Sequence, residues 1–408
     1  MKNHSLKLIL LISCLFSITF SSVAQRSKVT SGAMAYGDGE YEKAIQYFQE
    51  ALAKPDLLDS KDLAKAYAKL GQSYMGLYTT KKPKTVNDYP FSKYPNLLND
   101  AWDAFQKAKQ YDELKKFETE INAILPTLGD AMYRQGFDLY KAGKYTDAES
   151  YLTASCKIFD ATITFYGSYT LRGYNYLELK DTVKATKDFE KALELYKAKK
   201  PKTPDNSVAY VYVALATIYE QSNPDKSLKV LAEAKTEFPQ EKVINDTELN
   251  LYLRNKDLYD KGILRFEEEV KKQPNNEQII LAYAQLTERK DVKKAIEIYK
   301  QVLQVNPKNT TANYNIGANL VNQAAELVKK ANDSKDGKEI SALNKEIMAL
   351  MKEAYKYMKA AYDADPKDIS TVDALVQITT TLGNEDDAMM AESAKYIKIK
   401  NELKANKK

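Results

Sequence analysis

At 408 residues the chain has room for two or three globular domains or for one extended repeat array. Hydrophobic residues at 44%, charged residues at 29% and a net charge of only +5 exclude a disordered polyelectrolyte and a strongly basic nucleic-acid binder. With 30 Tyr against 14 Gly and 12 Pro, the composition favours long helices separated by few turns.

In chain order the first feature is an export signal. Lys2 and Lys7 precede an apolar run over residues 8–20, and Ser22-Val23-Ala24 forms an acceptable signal-peptidase site. A signal peptide over 1–24 with cleavage after Ala24 is expected. Leu11-Ile12-Ser13-Cys14 offers the competing reading of a lipobox, with a lipid anchor at Cys14. Removal of 1–24 takes away Lys2, Lys7, His4 and Cys14, so the formal charge falls from +5 to +3 and Cys156 is left without a disulfide partner. The longest apolar stretch thereafter, residues 208–219, is too short to cross a bilayer and reads as a buried helix, so no transmembrane span is expected after signal removal.

A spacing then recurs along the chain. Gly32, Ala44, Phe48 and Ala51 set it, with Gly39 between the two halves and Pro55 after them. Gly71, Ala101, Phe105 and Ala108 repeat it across an insertion, and Gly136, Ala148, Leu152 and Ser155 repeat it in full register. Gly173, Ala185, Phe189 and Ala192 make the cleanest copy. Weaker copies run through Leu215, Leu231 and Ala234, then Gly262 and Phe266, then Ala282, Ala295 and Tyr299. An eighth is split between Gly317 and the group Ala354, Met358 and Ala361, and a ninth is degenerate around Leu375, Gly383 and Ala388. Residues at i, i+4 and i+7 share a helix face, so each copy is a helix pair in which small residues let the helices approach and a large ring fills the space beyond.

This pattern resembles the tetratricopeptide repeat (TPR), a helix-turn-helix unit of about 34 residues. The resemblance implies an all-α fold, a right-handed α-solenoid of about eight to nine stacked repeats over 25–408, with insertions near 78–96 and 321–348. It is similar to exported bacterial TPR proteins. Three positions depart from the pattern: Asn250 and Tyr283 replace the small first-helix residue, and Glu269 replaces a small second-helix residue, which predicts loose packing there. The 78–96 insertion carries three prolines, at 83, 90 and 95, and cannot be helical throughout. The 321–348 segment reads as extended helices around a polar turn at 332–337.

Catalytic chemistry is poorly served. His4 is the single histidine and leaves with the signal, which removes Ser-His-Asp, Cys-His and His-zinc chemistry from the mature chain. Gly32 and Gly37 lack the lysine of a phosphate loop, and the 332–337 segment lacks the closing glutamate of a calcium loop, with Leu343 in its place. No cofactor, metal or nucleic acid is expected. In the TPR family the first helices line a groove, which by resemblance places Tyr36, Tyr133, Phe137, Tyr140, Tyr174, Leu177 and Tyr210 in a partner-binding face of the N-terminal half. Thr247, Arg254, Tyr314 and Gln377 would take that place in the C-terminal half. The family's basic clamp is absent, since Ala68, Gln72 and Thr170 stand at its positions. The expected function is therefore a non-catalytic protein–protein interaction scaffold or adaptor of the periplasm or outer envelope. The alternatives are an envelope glycan-binding protein and an outer-membrane lipoprotein of an assembly or secretion complex.

Overall fold

The computed structural model describes residues 22–85, 87–199, 201–384 and 386–405. The signal expected over 1–24 lies outside them apart from its last three residues, which open the first helix. Every regular element among the described residues is helical. The helices are α1 (22–37), α2 (Tyr41–Leu52), α3 (Ser60–Lys81), α4 (Leu97–Tyr111), α5 (Glu118–Lys141), α6 (Tyr145–Thr162), α7 (Tyr166–Glu178), α8 (Thr182–Lys199) and α9 (Ser207–Ser222). They continue as α10 (Pro224–Glu237), α11 (Lys242–Arg254), α12 (Tyr259–Lys272), α13 (Glu277–Glu288), α14 (Val292–Val305), α15 (Thr310–Asp333), α16 (Gly337–Ala364), α17 (Ile369–Leu382) and α18 (Asp387–Ala405). The chain divides into two compact units, Met1–Ile244 and Asn245–Lys408, with the boundary inside α11.

In the first unit the recurring spacing becomes a recurring contact. A Cβ built on Gly32, Gly71 or Gly173 would stand 2.8, 2.6 or 2.7 Å from the ring of Phe48, Phe105 or Phe189. Each of those rings is fully buried, so each glycine lets the second helix of its pair close onto the first. The turns are built locally: Gly39 (φ 75°) and Gly143 (φ 72°) adopt the left-handed conformation that a side chain disfavours. Asp59 caps α3 by accepting from the Asp62 amide at 2.8 Å, and Asn223 caps α10 by accepting from Lys226 at 2.9 Å. The apolar stretch at 208–219 is the core of α9, burying Val208, Ala209, Val211, Tyr212, Leu215, Ala216 and Tyr219. Cys156 is buried in α6.

The 78–96 insertion behaves as its prolines require. Helix α3 runs through Lys81 and stops at Lys82, which turns left-handed at φ 46°. The segment beyond is irregular and carries a cis peptide at Tyr89-Pro90. It nevertheless packs: Phe91 is buried and meets Tyr78 edge-on at 6.0 Å, and Tyr94 meets Tyr74 at 6.3 Å. Tyr89 and Lys93 both bond the Glu42 carboxylate of α2.

In the second unit the expected loose packing at Asn250 and Tyr283 is not what forms. Asn250 is exposed, and Tyr252 takes the buried position instead, lying 2.8 Å from a Cβ position on Gly262. The small residue and the ring have exchanged helices. Tyr283 is itself buried, with the Lys294 ammonium 5.5 Å above its ring. Glu269 is half-buried and pairs with Lys272. The 321–348 segment forms the outer halves of α15 and α16, joined by a polar turn in which Asp336 caps α16 by accepting from Lys338.

Candidate functional site

Unit Met1–Ile244 carries the six aromatic residues expected to bind a partner, and they fall on the first helices of four repeats: Tyr36 on α1, Tyr133, Phe137 and Tyr140 on α5, Tyr174 on α7 and Tyr210 on α9. The structure brings them together in two groups and leaves one apart. Tyr36 stands alone with α1–α3 neighbours: it tilts against Tyr41 at 5.9 Å and lies under the Lys69 ammonium at 5.1 Å. Lys69 and Gln72 of α3 both reach Glu120 of α5 at 2.8 Å. Burial, helped by Tyr41 and Glu120, holds the Tyr36 phenol above its ordinary pKa. That region is a polar network in which the buried Gln72 Oε1 has no hydrogen-bond partner among the described residues.

The second group is a stripe of phenols. Tyr174 packs edge-on over the buried Phe189 ring at 5.0 Å, and its pKa is pushed up to about 12, first by burial and then by the nearby phenols of Tyr140 and Tyr210. Those three residues come from three successive first helices, α5, α7 and α9. Tyr140 is half-buried against Tyr145 at 5.6 Å, with burial followed by Glu178 raising its pKa. Tyr210 is 51% exposed. The stripe therefore presents ring surface with hydroxyl tips, anchored at its centre and open at its end.

The third group is a chamber that sequence reasoning approached only from one side. Tyr133 and Phe137 line it together with Ala131, Arg134, Gln135 and Asp138 of α5. Its opposite wall is Tyr78 of α3 with Pro83, Lys84, Thr85 and Phe91 of the insertion. The pocket has a volume of about 440 Å³, within the range of ligand pockets, about 300–1,000 Å³. Tyr133 is braced edge-on by Phe165 at 5.2 Å, while Phe137 is 41% exposed with the Lys141 ammonium 5.4 Å over its ring. Burial, then Asp130, raises the Tyr133 pKa, and burial, then Asp130, does the same for Tyr78. Arg134 is engaged by Asp130 at 2.8 Å. Tyr78, Phe91 and Gln135 carry no periodic mark in the sequence; the clue available there was the proline-rich insertion itself.

A shallower apolar hollow of about 630 Å³ includes Leu177, together with Val183, Thr186, Ala214 and Ile218. In the second unit, Gln377 is exposed and Tyr314 lines a small cavity with Asp365 and Asp368. Thr247 and Arg254 lie on α11 and are both engaged by neighbours. The basic residues Lys197 and Lys199 are tied down: Lys197 pairs with Glu233, and Lys199 lies 5.9 Å over the Tyr166 ring. Among the described residues no cluster of His, Cys, Asp and Glu could hold a metal ion, and no helix is long and apolar enough to cross a membrane.

No family profile and no curated protein matches the chain. Among solved structures, the chain is similar to a TPR repeats protein from Bacteroides fragilis at 18% identity and TM-score 0.30, over 62% of this chain and 98% of that one. The C-terminal part of a TPR repeat-containing protein from Cytophaga hutchinsonii aligns at 17% identity and TM-score 0.38, over 66% and 95%. The TPR2AB domain of yeast Sti1, solved in complex with pHSP90, aligns at 12% identity and TM-score 0.27, over 68% and 99%. The paired helices, the left-handed Gly39 turn, and the glycine that receives a phenylalanine ring in three repeats of the first unit give this chain the fold of a tetratricopeptide-repeat protein.

Proposed function

We propose that this chain is a non-catalytic scaffold or adaptor of the periplasm or outer envelope of a Gram-negative bacterium, and that it captures a protein partner on the first-helix face of the unit Met1–Ile244. The observation that carries the reading is the placement of Tyr140, Tyr174 and Tyr210 on successive first helices, with Tyr174 packed on the buried Phe189 ring and Tyr210 offered to solvent. Preorganised tyrosines of this kind supply contact area at small entropic cost and are enriched among binding hot spots. The export reading rests on the basic, apolar and small-residue order of residues 1–24.

The test uses the full chain recovered from envelope fractions. With Tyr174→Ala and Tyr210→Ala combined, the expected outcome is loss of the co-purifying partner, with affinity down by roughly 30-fold for a hot-spot pair. Partner recovery unchanged by both substitutions sinks the face. Intact mass of the same sample separates the two export routes: a chain beginning at Gln25 is a freely diffusing adaptor, and one beginning at an acylated Cys14 is membrane-anchored.

A further inference from the structure

The core face of α1 begins on a polar residue. Gln25, Val29, Gly32 and Ala35 are buried at helical spacing, while Val23, Ala24, Arg26 and Ser27 are exposed. Gln25 is only 6% exposed, and its Oε1 is buried without a hydrogen-bond partner among the described residues. Leucine or valine would be the ordinary occupant of such a position. The same glutamine follows Ser22-Val23-Ala24, so cleavage after Ala24 makes it the first residue of the mature chain. Cleavage therefore sets a new α-amino group at the head of a helix and at a core position.

Both features oppose a charge there. A chain-end amine is protonated at neutral pH, burial penalises the ammonium, and the positive end of the helix dipole repels it. The carboxylates that reach the first turns of α1 are already matched: Asp59 and Asp62 each pair with Arg26 at 3.0 Å, and Glu50 pairs with Lys28 at 3.4 Å. Arg26 adds a like charge one residue away.

We propose that Gln25 is a modification site: after signal cleavage its α-amino nitrogen attacks its own side-chain amide carbon, and the mature chain begins with a neutral five-membered lactam, pyroglutamate. The inference rests on the export reading above, with cleavage after Ala24. The N–Cδ bond forms and the Cδ–Nε2 bond breaks; Nε2 leaves as ammonia, taking the proton that the amine gives up, so no oxidant or other reactant is required. Attacking and attacked atoms belong to one residue, which gives the step the advantage of an intramolecular reaction. Asparagine would have to close a four-membered ring, and alanine or serine has no amide carbon to attack. Because packing of α1 closes the site, the ring forms on the exported chain before it folds. The product carries no ammonium, keeps one N–H and one C=O, and presents no free amine to an aminopeptidase.

The experiment expresses the full chain with residues 1–24 in a Gram-negative host, recovers it from the envelope fraction, and reads its intact mass and the fragment spectrum of its N-terminal peptide. The expected result is a chain that starts at residue 25 and is lighter than the Gln25 form by one ammonia. A synthetic peptide of residues 25–36 taken through the same handling measures ring closure during preparation, and protein cyclised no further than that peptide overturns the proposal. A chain starting at Gln25 with a free amine overturns the lactam and leaves the export reading standing; one that starts at an acylated Cys14, or that keeps residues 1–24, overturns both. Gln25→Ala, cleaved at the same place, supplies the charged end for comparison. It should melt a few degrees below wild type at pH 7, and the gap should narrow at pH 9, because above about pH 8 the amine is neutral in the unfolded chain as well as the folded one. A gap of the same size at both pH values reports lost side-chain packing alone and overturns the argument that the site rejects an ammonium.

Discussion

At Gly173 the Phe189 ring stands where a side chain would otherwise project, and the ring is fully buried with no room to retreat. Gly37 is the internal contrast, a helical glycine with open space where its Cβ would be. Gly173→Ala should therefore destabilise by about 1–3 kcal/mol despite the better helix propensity of alanine, whereas Gly37→Ala should be neutral or gain a few tenths of a kcal/mol. Urea titrations of the two variants followed by circular dichroism check the opposite signs, and equal effects would refute the contact. Cys156 gives a second residue-scale test. Burial pushes its thiol up to about 12, so a thiol reagent at pH 8 should label it only when the surrounding repeats open, and labelling at the rate of an exposed cysteine would contradict that burial. These residues were legible because small-large spacing and a lone cysteine are visible in the sequence. The pocket that joins Tyr78 and Phe91 to Tyr133 and Phe137 was not legible, because its lining comes from positions far apart in the sequence that share no spacing.

Among the elements, the pair α11–α12 shows why repeat matching by spacing fails locally. The pattern placed the small first-helix residue at 250, but the fold satisfies the same packing demand with Tyr252 on α11 against Gly262 on α12, and seals it with the buried Glu248 bonded to Arg265 at 3.0 Å. What packing conserves is a ring against a missing Cβ; which helix supplies the ring is free. The long hairpin α15–α16 was readable in outline because the turn residues at 334–336 interrupt two apolar periodicities. Its outer part has little core: Ala324 is the last buried residue going out and Ile347 the first coming back. Replacing residues 326–345 by a Gly-Asn-Gly turn should accordingly lower helix content only by the excised residues and leave the melting temperature of the remainder within a few degrees. A melting loss of more than about ten degrees would show that the outer hairpin stabilises its base.

For the molecule as a whole, the helical class and the repeat fold could be read ahead of the structure because a repeated unit states its packing many times over, so single departures average out. The chamber and the insertion wall could not, since each occurs once. The abundance of tyrosine has its own consequence at this scale, for the same rings that fill the spaces between helices carry hydroxyls that burial keeps protonated beyond their ordinary range. Burial raises Tyr74 and Tyr174 to about 12 and pushes Tyr166, Tyr212 and Tyr299 higher still. Their unfolded counterparts titrate near pH 10, so above that pH the unfolded chain sheds protons that the folded chain keeps. Stability is then fully present below about pH 10 and is lost as pH rises towards the folded values, by up to about 1.4 kcal/mol per pH unit for each well-buried phenol such as Tyr74 or Tyr212. Several such groups acting together predict a steep alkaline unfolding between about pH 10 and 12, in which phenolate absorbance from the buried tyrosines appears together with the loss of helical circular dichroism. Phenolate formation that is complete near pH 10 with the helices intact would mean that these rings do not fill the core.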